Sequence, residues 1–500
     1  MVETFAQFLY GIQVALSPEN LFYCFLGVLF GTLIGVLPGI GPVGGMSLLL
    51  PLTFKLPVTT AVIMLAGIYY GASYGGSTTS ILVNIPGESC SIVTCLDGYQ
   101  MARKGRAGPA LGISAMGSFI GGTLSLIGLM FLAFTLSNQA LKFGPPEYFA
   151  LMCTGLIILT YLTRGSIIKG WVMALIGLFL GTIGQEQVSG KLRFTFGIPE
   201  LSDGVELVSV TMGLFGISEI LINIETYVKR AVVETRIENL FPNLEDWKKS
   251  IAPILRGTFI GFFLGILPGG GAVLSSFASY AVEKRISKNP EEFGRGAIEG
   301  IAGPETANNS ATGGAFIPLL SLGIPSNVVM ALILGALLVH GIIPGPLLIS
   351  KNPDLFWGVI GSMYIGNVML LILNLPLIGL WVRVLKVPHQ ILFPLILLFC
   401  LLGVYSVNYR AFDLFVLIFS GIVGYILRKL EYEAAPLILA LVIGPMLEQA
   451  FHQSMIIASG RLSIFIRRPI SGMAIAFSLA LLISNIFRAF RRAREKVALD

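Results

Sequence analysis

Charge is what this sequence has least of. Only 12% of its 500 residues are charged, against about 25% in a soluble globular chain, while 55% are hydrophobic and the mean hydropathy is +0.83. So few charges cannot coat a water-facing surface of that size. A soluble enzyme, a nucleic-acid-binding protein and a disordered scaffold are excluded, despite a pI near 9.0. The balance of 33 Lys and Arg against 27 Asp and Glu, +6 formally, therefore has to be explained by position rather than by a nucleic-acid partner. Histidine is scarce as well: His340, His389 and His452 are not spaced as ligands, so no metal centre is expected. Five scattered cysteines, Cys24, Cys90, Cys95, Cys153 and Cys400, read as small buried hydrophobes rather than disulfides or metal ligands. Residues 1–54 contain no Lys or Arg. A cleavable secretory signal needs a positive leading region, so the N-terminus is expected to be kept.

What the chain has in abundance is apolar runs. They lie near 21–37, 56–71, 110–134, 147–163, 166–184, 205–222, 251–267, 328–343, 355–381, 389–404, 411–427, 435–450 and 470–487. A bilayer core takes about 20 helical residues, which gives roughly 10 to 13 spans plus shorter broken pieces. Spanning strands would show about ten residues of alternating polarity, and that alternation is absent. The expected fold class is an all-α polytopic membrane protein.

One motif occurs twice. Gly35-Val36-Leu37-Pro38-Gly39-Ile40-Gly41 returns 230 residues later as Gly265-Ile266-Leu267-Pro268-Gly269-Gly270-Gly271. Further on, Gly75-Gly76-Ser77 through Asn84-Ile85-Pro86-Gly87 is matched by Gly313-Gly314-Ala315 through Gly323-Ile324-Pro325-Ser326, at offsets of 238 and 239. The chain therefore reads as a first transmembrane repeat at 1–222, a polar linker at 223–250, a second repeat at 251–487 and a basic tail at 488–500. Internal repeats of this kind are typical of secondary transporters.

Proline followed by glycine inside an apolar run has a physical consequence. Pro removes a backbone donor and clashes with the preceding turn, Gly permits positive φ, and the helix stops and restarts. In hydrocarbon the freed N–H and C=O groups are tolerated only where protein or a water-filled cavity satisfies them. Gly and Pro are common in membrane helices, and kinking or close packing accounts for a single break. Four breaks at matching places, Pro38, Pro86, Pro268 and Pro325, are what broken helices or re-entrant hairpins around a substrate and ion site would produce.

The basic loops sit at non-equivalent positions of the two halves. Loop 102–106 holds Arg103, Lys104 and Arg106, whereas its counterpart 343–352 has only Lys351; loop 284–295 holds Lys284, Arg285, Lys288 and Arg295, whereas residues 55–60 have only Lys55. Under the positive-inside rule the halves should lie in opposite orientations, as an inverted-topology repeat. With 102–106 cytoplasmic, Arg164, Lys169, the linker (Lys229, Arg230, Arg236, Lys248, Lys249), Arg383, Lys386, Arg428, Lys429 and the tail fall inside. Residues 135–146 and 185–203 fall outside. Lys191, Arg193 and the Arg461–Arg468 group do not fit this map.

Candidate site residues are those at and around the breaks. They are Pro38, Gly39, Gly41, Pro86 and Gly87 in the first half, and Pro268, Gly269, Gly271, Pro325 and Ser326 in the second. Small neutral polar residues accompany them: Ser73, Ser77, Thr78, Thr79, Ser80 and Asn84, then Thr306, Asn308, Asn309, Ser310 and Thr312. Half-helix N-termini suit a carboxylate, and unwound carbonyls with Ser, Thr and Asn oxygens suit a hard cation such as sodium. Interhelical hydrogen bonding is the competing explanation for the Ser and Thr residues. Glu305 is the strongest acid, as cation ligand or proton carrier, while Glu88 and Asp97 are either site residues or interfacial caps. No Lys or Arg falls inside the breaks, and Arg256 is expected to snorkel to the cytoplasmic surface. No Gly-Lys-Ser/Thr phosphate loop is present, so neither an enzyme nor ATP drive is expected.

At these residues the chain resembles the large membrane subunit of the tripartite tricarboxylate transporters. The likeness is carried by the paired Leu-Pro-Gly segments, Tyr74-Gly75-Gly76-Ser77, Gly303-Pro304-Glu305-Thr306-Ala307-Asn308-Asn309 and Gly323-Ile324-Pro325, and also by Arg193-Phe194-Thr195-Phe196-Gly197 and Gly213-Leu214-Phe215-Gly216-Ile217-Ser218-Glu219. It implies a multi-pass permease of the cell inner membrane that works with a small membrane subunit and a periplasmic substrate-binding protein. Transport of tricarboxylates, dicarboxylates or related organic acids would be driven by a sodium or proton gradient, with no bound cofactor. Where that family often has Asp, this chain has Gln185-Glu186, in a loop whose bearing is on docking of the binding protein. The other reading of the same residues is an anion channel or a non-transporting membrane assembly protein.

Overall fold

The computed structural model describes residues 2–37, 40–162, 166–186, 189–225, 239–269, 271–384 and 389–497. The chain opens with α1 (Val2–Ala15), α2 (Pro18–Val36), α3 (Gly41–Thr53) and α4 (Val58–Val83). After a tight turn at Ser89–Ser91 come α5 (Ile92–Arg103), α6 (Ala107–Ala140), α7 (Pro145–Leu162) and α8 (Ile167–Gly181). The one departure from all-helical structure among the described residues is a two-residue ribbon, β1 (Gly184–Gln185) antiparallel to β2 (Leu192–Arg193). α9 (Leu207–Thr211) then passes through a π-helical turn, Met212–Ile217, into α10 (Ser218–Glu225). The second part holds α11 (Leu244–Ile266), α12 (Gly271–Ile286), α13 (Glu299–Leu322), α14 (Val328–Val339), α15 (Leu348–Lys351) and α16 (Pro353–Asn374). It closes with α17 (Ile378–Val384), α18 (His389–Asn408), α19 (Ala411–Lys429), α20 (Ala435–Ile457), α21 (Ile464–Arg467) and α22 (Pro469–Val497).

Seven helical segments among the described residues are long and apolar enough to cross a membrane: α2, α6, the continuous Leu207–Glu225, α11, α16, α19 and α20. Shorter apolar stretches lie in α7, α8, α14, α18 and α22. The protein is an α-helical, multi-pass membrane protein. On the outer helices large apolar side chains face outward, for example Ile168, Leu175 and Phe179 on α8 and Phe415, Phe419 and Ile422 on α19, as lipid contact requires.

α4 and α13 are built differently. Every residue from Thr60 to Leu82 and from Gly300 to Ser321 is buried. A helix enclosed on all sides needs no lipid-facing stripe, so these two tolerate Gly, Ser, Thr and Asn where an outer helix carries Leu and Phe. The Tyr74-Gly75-Gly76-Ser77 segment, expected beside a break, runs as uninterrupted helix inside α4. The break falls after it, at Asn84–Gly87.

Each of these central helices takes a neighbour on a glycine seam. A Cβ placed on Gly27, Gly31 or Gly35 of α2 would lie 2.3, 2.6 or 2.2 Å from the carbonyl oxygen of Met64, Ile68 or Ala72 of α4. On Gly257, Gly261 or Gly265 of α11 it would lie 2.4, 2.2 or 2.4 Å from that of Gly303, Ala307 or Ala311 of α13. The glycines correspond at 230 residues and their partners at 239, the same offsets as the sequence motifs. Spacing by four lets two backbones touch along one face, the small-residue packing of membrane helices.

Candidate functional site

Both glycine seams end at a break. α2 stops at Val36 and α3 restarts at Gly41 with φ +62°; α11 stops at Ile266 and α12 restarts at Gly271 with φ +47°. α4 and α13 end on left-handed residues, Asn84 with φ +56° and Gly323 with φ +72°, each two residues before a proline. Two of the groups freed at these ends find partners within the protein. Thr79 Oγ1 donates to the Val36 carbonyl at 2.6 Å, and the Gly269 amide donates to the Ser326 carbonyl at 2.8 Å.

Between the breaks lies a cavity of about 700 Å³. One side is formed by the starts of α3 and α12 and by the turns leading into α5 and α14: Gly41, Pro86, Gly87, Gly269, Gly271 and Asn327 all line it. The far wall comes from Phe215 of the π-helical turn, Glu219 of α10, Arg428 of α19 and Leu439 of α20. Helix starts present unpaired N–H groups and a partial positive charge, and several directed at one space make a receptor for an anion. Arg428 is the one basic side chain on the wall among the described residues. Its Nη1 donates to Glu219 Oε2, and Asn223 Nδ2 donates to Glu219 Oε1 at 2.9 Å.

Behind the break wall runs a polar network. Glu88, which faces the cavity, accepts at Oε1 from Asn308 Nδ2 at 2.9 Å. Glu305 accepts from Ser77 Oγ at 2.5 Å and from the Thr94 hydroxyl, and so ties α13 to α4 and α5. Asn309 Nδ2 donates to Ser118 Oγ of α6 at 2.7 Å, and Ser310 Oγ donates to the Thr258 carbonyl of α11 at 2.7 Å. Thr306 and Thr312 donate to carbonyls of their own helix, those of Ala302 and Asn309, at 2.7 and 2.6 Å. Interhelical and intrahelical bonding thus occupies most of the Ser and Thr residues.

The structure therefore divides the candidate residues. Gly41, Pro86, Gly87, Gly269 and Gly271 line the cavity, and Asn308 reaches it through Glu88. Ser77, Thr78, Thr79, Glu305, Thr306, Asn309, Ser310 and Thr312 are buried in α4 and α13. Pro325 and Ser326 are buried in the turn before α14, and Pro268 stands beside Gly155 of α7. Asn84 has its side chain exposed and is not part of the cavity wall. Pro38 and Gly39, as well as Arg164, Lys229, Arg230, Arg236 and Lys386, lie outside the described residues.

Two acids resolve the choice between site and cap. Asp97 is fully buried, and its Oδ1 accepts the amides of Gly294, Gly296 and Ala297 at 2.7 to 2.9 Å while Oδ2 accepts from the Tyr280 hydroxyl at 2.9 Å. It clamps the loop leading into α13. Glu88 is both: it stands in capping-box position with Ser91 and faces the cavity.

Arg256 is not simply a snorkelling side chain. Its Nε and Nη2 donate to the buried Glu283 of α12 at 2.8 and 2.5 Å, so it locks the α11–α12 hairpin. In the sequence Glu186 and Arg193 stand out as motif residues, but nothing there marks the cluster they form with α20 at the β1–β2 ribbon. There Arg193 holds Glu448 of α20 at 2.6 and 2.8 Å, and His452 Nδ1 lies 2.9 Å from Glu186 Oε1. Ligand atoms of Glu186, Glu448 and His452 come within 4.8 Å of one another. With a guanidinium seated on Glu448, the cluster serves as an ion-pair network that pins the ribbon to α20.

Glu219, Arg428, Tyr69 and Asn327 were not among the expected site residues. Glu219 closes the motif Gly213–Glu219, and Asn327 directly follows Pro325-Ser326, so position offered a signal for both. For Arg428 the only signal was its membership of a loop-end basic pair.

The family model described as the tripartite tricarboxylate transporter TctA family matches residues 21–439 of the chain. An uncharacterized 52.8 kDa protein of Agrobacterium vitis is 50% identical over 500 residues, 100% of this chain and 100% of that protein. A second uncharacterized protein of the same organism is 52% identical over 240 residues, 48% of this chain and 99% of that protein. An uncharacterized protein of Methanocaldococcus jannaschii is 23% identical over 273 residues, 54% of this chain and 64% of that protein. No solved structure matches.

Proposed function

The chain belongs to the tripartite tricarboxylate transporter TctA family, and from that premise we propose that it is the large permease subunit of a cation-coupled importer of tricarboxylates, dicarboxylates or related organic acids. The observation that carries this reading is the cavity between the four breaks, where helix starts from both halves and Arg428 face one space of about 700 Å³. Such a volume falls in the range of small-molecule sites, and its donors suit carboxylates. In this reading the membrane is the cell inner membrane, a periplasmic binding protein delivers the substrate and a small membrane subunit assembles with the chain. The halves act as an inverted-topology repeat with residues 223–250 and 488–500 on the cytoplasmic side. The matched glycine seams at offsets of 230 and 239 support that repeat. The break region would move against the outer helices to expose the site to each side in turn.

Reconstitution into liposomes tests the proposal. Citrate and succinate should accumulate inward against their own gradient when a sodium or proton gradient is imposed, and should not when it is collapsed. Purely downhill flux would contradict a coupled transporter and favour an anion channel.

A further inference from the structure

In each half one residue follows the second break by two positions past its proline: Glu88 after Pro86, and Asn327 after Pro325. They correspond at 239 residues, the offset of the glycine-seam partners. Each reaches across to the central helix of the other half. Asn327 Nδ2 donates to the Tyr69 hydroxyl of α4 at 3.2 Å, and Glu88 Oε1 accepts from Asn308 Nδ2 of α13 at 2.9 Å. Tyr69 and Asn308 also correspond at 239 residues. The same contact is made twice, with different chemistry.

On the Asn327 side the groups are neutral and spent, because Asn327 Oδ1 caps α14 by accepting from the Met330 amide at 3.0 Å. On the Glu88 side two oxygens have no hydrogen-bond partner, Glu88 Oε2 and Asn308 Oδ1, and their residues are only 6% and 1% exposed. The Cys90 thiol beside the carboxyl is a weak donor. No Lys or Arg pairs with Glu88 among the described residues. With Glu88 ionised both bare oxygens are acceptors, so neither satisfies the other, and burying them unmet is unfavourable. What satisfies two acceptors and one negative charge together is a cation, and Glu88 stands on the cavity wall where one can arrive.

We propose that Glu88 and Asn308 hold the coupling cation, a monovalent alkali ion seated on Glu88 Oε2 and Asn308 Oδ1 beside the anion cavity. This rests on the transporter reading above. One carboxylate matches one positive charge, and the carbonyls of an unwound segment supply further oxygens of the kind that hold sodium at broken helices. The pseudo-equivalent Asn327–Tyr69 contact is the uncharged counterpart and holds no ion. A cation placed beside the cavity raises anion affinity, and by reciprocity the anion raises cation affinity.

The test uses purified full-length protein, titrated with sodium chloride against choline chloride at constant ionic strength and pH, with unfolding temperature and citrate affinity read at each point. Sodium should raise the unfolding temperature and tighten citrate binding about tenfold. Glu88→Gln, which keeps length and hydrogen-bonding capacity, should abolish both responses, whereas Arg410→Ala, at an exposed ion pair that is not part of the cavity wall, should keep both. Retention of the sodium responses in Glu88→Gln overturns the site, as does a wild-type protein that responds to pH and not to sodium. Asn308→Asp provides an independent arm: the sodium midpoint should fall severalfold, and an unmoved midpoint overturns the assignment. If wild-type protein responds to sodium through Glu88 but binds no organic anion, the transporter reading fails while the cation site stands.

Discussion

α4 and α13 occupy corresponding places, each buried along its length and each met by a glycine-lined partner helix, yet they carry different polar groups. α4 offers Tyr69 and a run of small hydroxyls, whereas α13 carries Glu305, Asn308 and Asn309. Backbone approach is thus nearly the same in the two halves, and charge is not. Close packing demands small residues wherever two backbones touch, which fixes the glycines in both halves. It places no demand on the side chains that point elsewhere around the helix. Those are free to diverge, and so are the turns that follow the two helices, which give the cavity a charged edge at Glu88 and a neutral one at Asn327.

The largest expected effect comes from breaking the shared packing. Gly31→Leu and Gly261→Leu each push a side chain into a carbonyl oxygen that a Cβ alone would meet at 2.6 or 2.2 Å. Both should abolish monodisperse protein on size exclusion in detergent, because overpacking costs about 1 to 3 kcal/mol or more and here backbone has to move. Tolerance of one but not the other would show that the two seams are not equivalent.

A smaller effect is expected where the halves meet the outer helices. Arg428→Gln should raise the KM for citrate uptake about tenfold, roughly 1.4 kcal/mol, by removing a charge-assisted contact with a carboxylate. The unfolding temperature should change little, since Arg428 is partly exposed. An unchanged KM would detach Arg428 from the substrate and leave helix starts as the anion receptor.

Below that lies the loop clamp at Asp97, which has no equivalent at the entry to α4 among the described residues. Asp97→Asn weakens a carboxylate that accepts three backbone amides and should lower stability by about 1 to 3 kcal/mol, read as a lower unfolding temperature with unaltered citrate KM. A shifted KM would place Asp97 in the site. The smallest effect is expected at Arg410 and Asp203, whose side chains are 39% and 71% exposed. Arg410→Ala should cost no more than about 1 kcal/mol.

The sequence made the breaks legible because helix-stopping chemistry is local. Pro268-Gly269 and Pro86-Gly87 each end a helix whatever surrounds them, and the 230-residue offset shows in plain residue order. Gly75–Ser77, although rich in glycine, run as helix up to the break at Asn84–Gly87, because burial between α2 and α5 offsets the weakness of glycine in an isolated helix. How the far wall of the cavity comes together was not legible, although Glu219 closes a motif. Glu219 and Arg428 are brought together by the packing of α10 on α19, and no local pattern records that meeting. Arg428 follows the same basic-loop rule as Lys429, so its position facing the cavity could not be separated from its topological role.

The central claim is that the space between the four breaks is where the organic anion binds. Filling that space tests it most directly. Ala272 lines the cavity from the first turn of α12, and Ala272→Trp would occupy it. Calorimetric titration of citrate and succinate into purified wild-type and Ala272→Trp protein should show binding only to the wild type, with both eluting alike on size exclusion. Equal affinity in the filled variant would contradict the account.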